Sequence, residues 1–219
     1  MQLAGTTSWR IGTDEPQSLL VALYVRDVAG LLAKAESDIP PLVPATPFGG
    51  IRSSAEITAA TQWAEWWLLL LQGGGFWPDD KRPSDFPILI HDPEIQRLFF
   101  WPSRNQSPDF YGLSDMPELQ VLVRRYFETA RIWSEARHLE FAALSTARQR
   151  VLLESDIVRS VERGLGRTAR TFALDIRVLP VAGVQAWRLS SSRALVTRAL
   201  FGDRAAYSAW LRLLIEELA

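Results

Sequence analysis

Cysteine is absent from the 219-residue chain, and this absence excludes several kinds of chemistry. Without thiols the protein can form no disulfide, no thiolate nucleophile and no zinc site built on cysteine. A reducing cytoplasm is therefore the expected location. The opening stretch MQLAGTTSWRIGTDEPQ has no early positive charge and no long apolar run, so it does not predict a signal peptide.

Lysine is rare in the chain, and the known catalytic motifs are absent from its sequence. Lys34 and Lys81 are the only lysines, so arginine supplies almost all of the positive charge, a bias typical of GC-rich bacterial genomes. No stretch matches a P-loop, a G-x-G-x-x-G turn after a strand, a G-x-S-x-G elbow, an H-E-x-x-H helix or an EF-hand loop. We therefore predict no catalytic residue, no metal ligand and no cofactor, and whether the protein is an enzyme stays open.

The longest apolar run is too short to cross a membrane. It covers Trp66 to Leu71 within WAEWWLLLLQGGG, whereas a spanning helix needs about 20 mainly apolar residues. Apolar residues at helical spacing predict a helix from about Ser53 to Gly73. Its second half is apolar on nearly every side, so we expect this helix to be buried at the centre of the core.

The periodicity predicts one α+β domain over residues 1–219 that is mostly helical. The helical part is expected to cover about residues 16–166, with proline- and glycine-rich loops between its helices. In residues 170–219, the alternation in TFALDIRVLPV and the stretch QAWRL predict an antiparallel hairpin. RALVT is a candidate third strand. Asp203 is expected to cap a last helix that covers this small sheet.

The net charge of −1 hides an asymmetry between the two halves of the sequence. Residues 1–120 carry 8 Lys and Arg against 15 Asp and Glu, whereas residues 121–219 carry 16 against 10. Because the whole chain has no basic excess, we expect neither nucleic-acid binding nor membrane binding. The two oppositely charged halves can attract each other within one fold, or they can present two faces to partners.

The two histidines are candidates for proton transfer or ligand binding near neutral pH. His91 lies in LIHDPE after an acidic loop, and a ligand pocket around it is one interpretation. The other is a loop histidine before a helix that Asp92 caps and Pro93 opens. His138 follows Glu135 by three residues on a predicted helix, where an ion pair on a solvated face is the commoner outcome.

Four arginines have helical spacing and are candidate ligand-binding residues. They are Arg159, Arg163, Arg167 and Arg170. On a continuous helix they would share one face and could hold an anion such as a phosphate. Gly164 and Gly166 argue against that continuity, and the alternative is a solvated or internally paired face.

Aromatic residues in the proline- and glycine-rich loops are candidate interface residues. They are Phe48, Trp77, Phe86, Phe110 and Tyr111. Rings on stiffened loops lose little entropy on binding, which favours a protein interface. Alternatively the rings fold back and anchor each loop to the core, and for Trp77, which directly precedes a proline, we favour the anchor interpretation.

Two functional hypotheses follow from these patterns. The first is a non-enzymatic cytoplasmic protein that engages a protein partner, or itself, through the aromatic loops and the arginine-rich half. We favour it because no nucleophile, base and orienting group assemble in the sequence. The second is a protein or enzyme that binds a small anionic or phosphorylated molecule in a pocket near His91.

Overall fold

The computed structural model describes residues 2–5, 9–31, 38–47, 55–72, 109–147 and 150–219. Most of these residues are helical and a smaller part forms one sheet, so the predicted α+β, predominantly helical class is confirmed. Within these ranges, no helix combines the length and the apolar character that crossing a membrane requires.

The chain divides into two compact units. Gln17–Ser134 forms the helical unit, and Met1–Pro16 together with Glu135–Ala219 forms the sheet unit. The first residues of the chain belong with the C-terminal sheet, because β-strand Trp9–Asp14 pairs with β-strand Phe172–Leu179. The prediction that all 219 residues make a single domain stays a prediction.

The helical unit begins with α1, Gln17–Val28, and continues with α2, Ala55–Gln72. A 3₁₀ helix at Tyr111–Leu113 then precedes α3, Pro117–Ala147, within which the boundary between the two units falls. Pro117 occupies the first position of α3, where a missing N–H costs no helical hydrogen bond.

The helix α1 ends at Val28, and Gly30 lies in the turn that terminates it. Gly30 has a φ of 72°, a left-handed conformation that glycine adopts without a side-chain clash. The backbone N–H of Leu31 then donates to the carbonyl of Arg26 at 2.9 Å, and that of Gly30 donates to Asp27 at 3.1 Å. These two bonds satisfy carbonyl groups that the helix end would otherwise leave without partners.

The tryptophans of α2 lie in the core of the helical unit, as predicted. The indole of Trp63 is fully buried, stacks on Trp67 with 5.5 Å between ring centroids, and donates its N–H to the carbonyl of Ala22 at 2.8 Å. The leucine run of this helix, which was expected at the centre of the core, is only partly enclosed. Leu68 and Leu69 are 58% and 38% exposed, so α2 buries one face and leaves the other open.

The sheet unit contains a five-stranded sheet with both termini of the chain near it. In chain order the strands are β1, Gln2–Gly5; β2, Trp9–Asp14; β3, Phe172–Leu179; β4, Ala186–Arg188; and β5, Arg193–Thr197. Their spatial order is β1-β2-β3-β5-β4. The β1–β2 and β4–β5 pairs are antiparallel, whereas β2–β3 and β3–β5 are parallel.

Two parts of this topology differ from the sequence-based expectation. The predicted antiparallel β3–β4 hairpin does not form, because β5 lies between those strands and pairs in parallel with β3. Four of the five residues of β5 are buried, whereas the three-residue β4 is half-exposed and takes the edge. The strands β1 and β2 were not expected at all. Strand pairing between distant segments depends on tertiary packing more than on local propensity.

One face of the sheet carries the hydrophobic core of this unit. Three further helices are α4, Arg150–Leu165; α5, Arg198–Gly202; and α6, Arg204–Leu218. Leu174 of β3 and Leu211 of α6 belong to the same buried cluster, so the predicted cover of the sheet by the last helix is confirmed. Asp203 caps α6 as predicted, since one of its carboxylate oxygens accepts from two backbone N–H groups of the first turn.

Candidate functional site

The turn that precedes α3 presents one aromatic ring to solvent and buries its neighbour. Phe110 has φ 49° and ψ 49°, a left-handed conformation that is uncommon for a residue with a side chain. Such a conformation costs on the order of 1–3 kcal/mol and persists only where the surroundings hold it in place. The contacts around Phe110 must therefore be strong enough to hold this strained backbone in place.

Contacts from α3 hold the turn in place. The ring of Phe110 is buried and meets Phe127 edge-on with 4.9 Å between ring centroids. The side-chain amide of Gln120 donates to the carbonyls of Asp109 and Phe110 at 2.8 and 3.0 Å. The guanidinium of Arg124 donates twice to the same Asp109 carbonyl, at 3.1 and 2.7 Å. The backbone is thus fixed on both sides of Phe110.

Tyr111 is the exposed member of this turn, which we call the Tyr111 turn (residues 109–113). Its side chain is 70% exposed, and its hydroxyl donates to the Asp109 carboxylate at 3.1 Å. The guanidinium of Arg124 lies 3.9 Å from the other oxygen of that carboxylate. The Tyr111 hydroxyl is therefore bonded to a carboxylate that also has a positively charged neighbour. The sequence placed Phe110 and Tyr111 together as interface candidates. The structure separates them, because Phe110 is an anchor and only Tyr111 lies at the surface.

The open face of α2 is a second surface feature of the helical unit. Ile57 and Leu68 are 68% and 58% exposed and lie three helical turns apart on nearly the same line, whereas the 38% exposed Leu69 lies about 100° around the helix from Leu68. We call these three residues the α2 ridge. Scattered exposed leucines are common in proteins, but alignment on one helix face is the pattern of a docking surface.

The four arginines with helical spacing do not share one helix. Arg159 and Arg163 lie on α4 and are exposed, but the helix ends at Leu165 and Gly166 turns the chain with a φ of 66°. Arg159 is 3.4 Å from Asp156 of the preceding turn, and the Nε atom of Arg163 donates to the backbone carbonyl of Arg159 at 3.4 Å.

The remaining two arginines of the row contact the last residue of the chain. The guanidinium of Arg167 donates to the backbone oxygen of Ala219 at 2.7 Å, and the backbone N–H of Arg170 donates to the same oxygen at 3.3 Å. The glycines therefore interrupt the row, and the guanidinium of Arg167 contacts the residue after α6 rather than extending the face of α4.

A buried ion-pair network at the end of β2 was not expected from the sequence. Glu15 is buried, and both of its carboxylate oxygens accept from the guanidinium of Arg198 at 2.6 Å. Arg198 also donates to the carboxylate of Glu140 at 3.0 Å and to the carbonyl of Arg137. Burial raises the pKa of Glu15, although the hydrogen bonds and charge of Arg198 and the charge of His138 act in the opposite direction.

A second buried pair lies within β3. Asp175 and Arg177 point to the same side of the strand, with 3.1 Å between Oδ2 and Nε. Burial raises the pKa of Asp175 and lowers that of Arg177, and the attraction between the two charges opposes both changes. The alternation of β3 puts them opposite its apolar residues, and both side chains are nevertheless buried.

Both ion-pair networks stabilise the fold and do not form a ligand site. The guanidinium of Arg198 reaches four acceptor atoms on three residues, which leaves little capacity for a ligand. Buried charges of this kind are found paired, and perturbed pKa values occur in structural networks as well as in active sites. A search for these partners by sequence spacing fails, since Glu15 and Arg198 are 183 residues apart.

Of the remaining sequence candidates, His138 alone lies within the described residues. His138 is exposed on α3, and among the described side chains no three His, Asp or Glu residues are arranged to hold a metal ion. Phe48, Trp77, Phe86 and His91 lie outside the described residues. Their roles as interface or ligand-binding residues stay predictions.

Comparison with known proteins adds no further candidate, because no protein-family model, curated protein or solved structure matches the chain.

Proposed function

We propose that the chain is a non-enzymatic protein-interaction module, and that the ring of Tyr111 is the centre of its contact with a protein partner or with a second copy of itself. The supporting observation is the division between two neighbouring rings: Phe110 is buried as an anchor, while Tyr111 is 70% exposed. Tyrosine is enriched at interface hot spots because its ring is large and rigid and carries one polar group.

The rigidity of the Tyr111 turn supports this proposal. Gln120 and Arg124 hold the backbone carbonyls of the turn, and the hydroxyl of Tyr111 is bonded to Asp109. A partner that binds the ring therefore does not have to order the loop, and each ordered side chain otherwise costs about 0.5–1.5 kcal/mol. A strained φ held by several hydrogen bonds is also typical of functional turns.

The arginine-rich C-terminal half has a secondary role in this proposal. Arg159 is 67% exposed on α4, and Arg163 follows one turn later on the same helix. Exposed guanidinium groups speed association and favour acidic partners, but they add little affinity. In this proposal the two arginines are a surface feature of the sheet unit by itself, and they favour acidic partners.

The alternative is a protein or enzyme that binds a small anionic or phosphorylated ligand. Its support is the exposed pair Arg159 and Arg163, since adjacent guanidinium groups suit phosphate. The pocket that this alternative places near His91 involves residues outside the described ranges. A bacterial source and a cytoplasmic location likewise stay predictions from the arginine bias and the cysteine-free composition.

The test compares Tyr111→Ala with Tyr111→Phe. The alanine variant removes the ring, whereas the phenylalanine variant keeps the ring and loses only the hydrogen bond to Asp109. Sedimentation velocity over a range of concentrations reports self-association, and affinity purification from cell extract reports other partners. We expect Tyr111→Ala to weaken the main association at least about tenfold, or about 1.4 kcal/mol, and Tyr111→Phe to weaken it much less.

Thermal unfolding of both variants is the control for folding. Because the side chain of Tyr111 is exposed, we expect both melting temperatures to stay close to that of the wild type. If Tyr111→Ala folds normally and still self-associates and retains every partner of the wild type, the Tyr111 turn is not the interaction site and the proposal is wrong.

A further inference from the structure

We draw no further inference here: the strongest candidate, the exposed α2 ridge of Ile57, Leu68 and Leu69, is an unpartnered helix face, and nothing in the structure shows what covers it.

Discussion

Arg26 in the helical unit is fully buried, Arg198 in the sheet unit is 17% exposed, and the two join very different parts of the chain. Arg26 bonds to Asp27 at 2.6 Å and to the carbonyls of Ile39 and Pro40 at 2.8 and 2.7 Å, all within 14 residues. Arg198 bonds to Glu15 across 183 residues. One arginine closes a local loop, and the other ties the two ends of the sequence together.

The two arginines differ in the groups to which they donate hydrogen bonds. Beside Arg26, the neighbouring Asp27 also accepts from the N–H of Leu42 at 2.7 Å, and the guanidinium lies over the ring of Trp63 at 5.5 Å. Through these bonds Arg26 and Asp27 hold residues 39, 40 and 42 of a proline-rich loop next to α1. Arg198 instead satisfies a carboxylate at the end of β2 and couples it to α3, which compensates for the large loop-closure entropy of distant segments.

Replacing Arg26 with methionine is expected to have the largest effect on stability. The methionine keeps an apolar side chain of similar length but leaves Asp27 and two carbonyls without their donor. We expect the free energy of unfolding to fall by about 3–5 kcal/mol, the usual cost of breaking a buried charge pair. Urea unfolding followed by tryptophan fluorescence measures this change, and Arg26→Lys, which keeps the charge, should lose less. A loss below about 1 kcal/mol in Arg26→Met would show that this loop does not depend on the arginine.

Arg198→Met should come second, at about 2–4 kcal/mol. The variant leaves Glu15 buried without its guanidinium partner, but the site of Arg198 is 17% exposed and water can compensate in part. Hydrogen exchange distinguishes the two arginines. The amides of β2 and α5 should lose protection in Arg198→Met, whereas α1 and residues 38–42 should lose it in Arg26→Met. Identical exchange patterns in the two variants would contradict the local and long-range roles.

Glu15→Gln should cost less, at about 1 kcal/mol near neutral pH, because Arg198 keeps Glu140 and the Arg137 carbonyl as acceptors. The pH dependence gives the sharper test. Because the pKa of Glu15 in the folded protein is raised above its ordinary 4.5, the folded state holds the proton more tightly than the unfolded state. This contribution to stability is present at low pH and is lost as the pH rises through the raised value.

The wild type should therefore gain stability relative to Glu15→Gln as the pH is lowered through the interval between the raised pKa and 4.5. Chemical denaturation of both proteins at several pH values measures the difference. A difference that stays constant across this range would mean that burial does not control the titration of Glu15.

Arg159→Ala should have the smallest effect, within about 0.5 kcal/mol, because its side chain is exposed and its ion pair with Asp156 spans 3.4 Å in water. Arg159 is the exposed control for Arg26 and Arg198. If burial causes the large effects of those two variants, an exposed arginine should show a small one. Thermal unfolding suffices as the measurement. A loss comparable to that of Arg198→Met would indicate that α4 depends on surface charge.

Much of the candidate site could be anticipated, but its decisive feature could not. Aromatic residues in a proline- and glycine-rich stretch made Phe110 and Tyr111 interface candidates, and that role stays a prediction. The sequence offers no sign of which ring is buried, because that depends on Phe127 and on the hydrogen bonds that Gln120 and Arg124 make from α3. The arginine row shows the converse, since Gly164 and Gly166 warned of a break that the structure places after Leu165.

The sequence by itself determined the helical character, the helix boundaries at Pro117 and Gly166, and the existence of the last strands. These features depend on neighbouring φ angles, N–H groups and side-chain periods, which act within a few residues. Tertiary structure alone decided that β5 separates β3 from β4, that Asp175 and Arg177 are buried, and that Leu68 faces outward. Those outcomes depend on which distant surface packs against each face, and a local pattern carries no information about that surface.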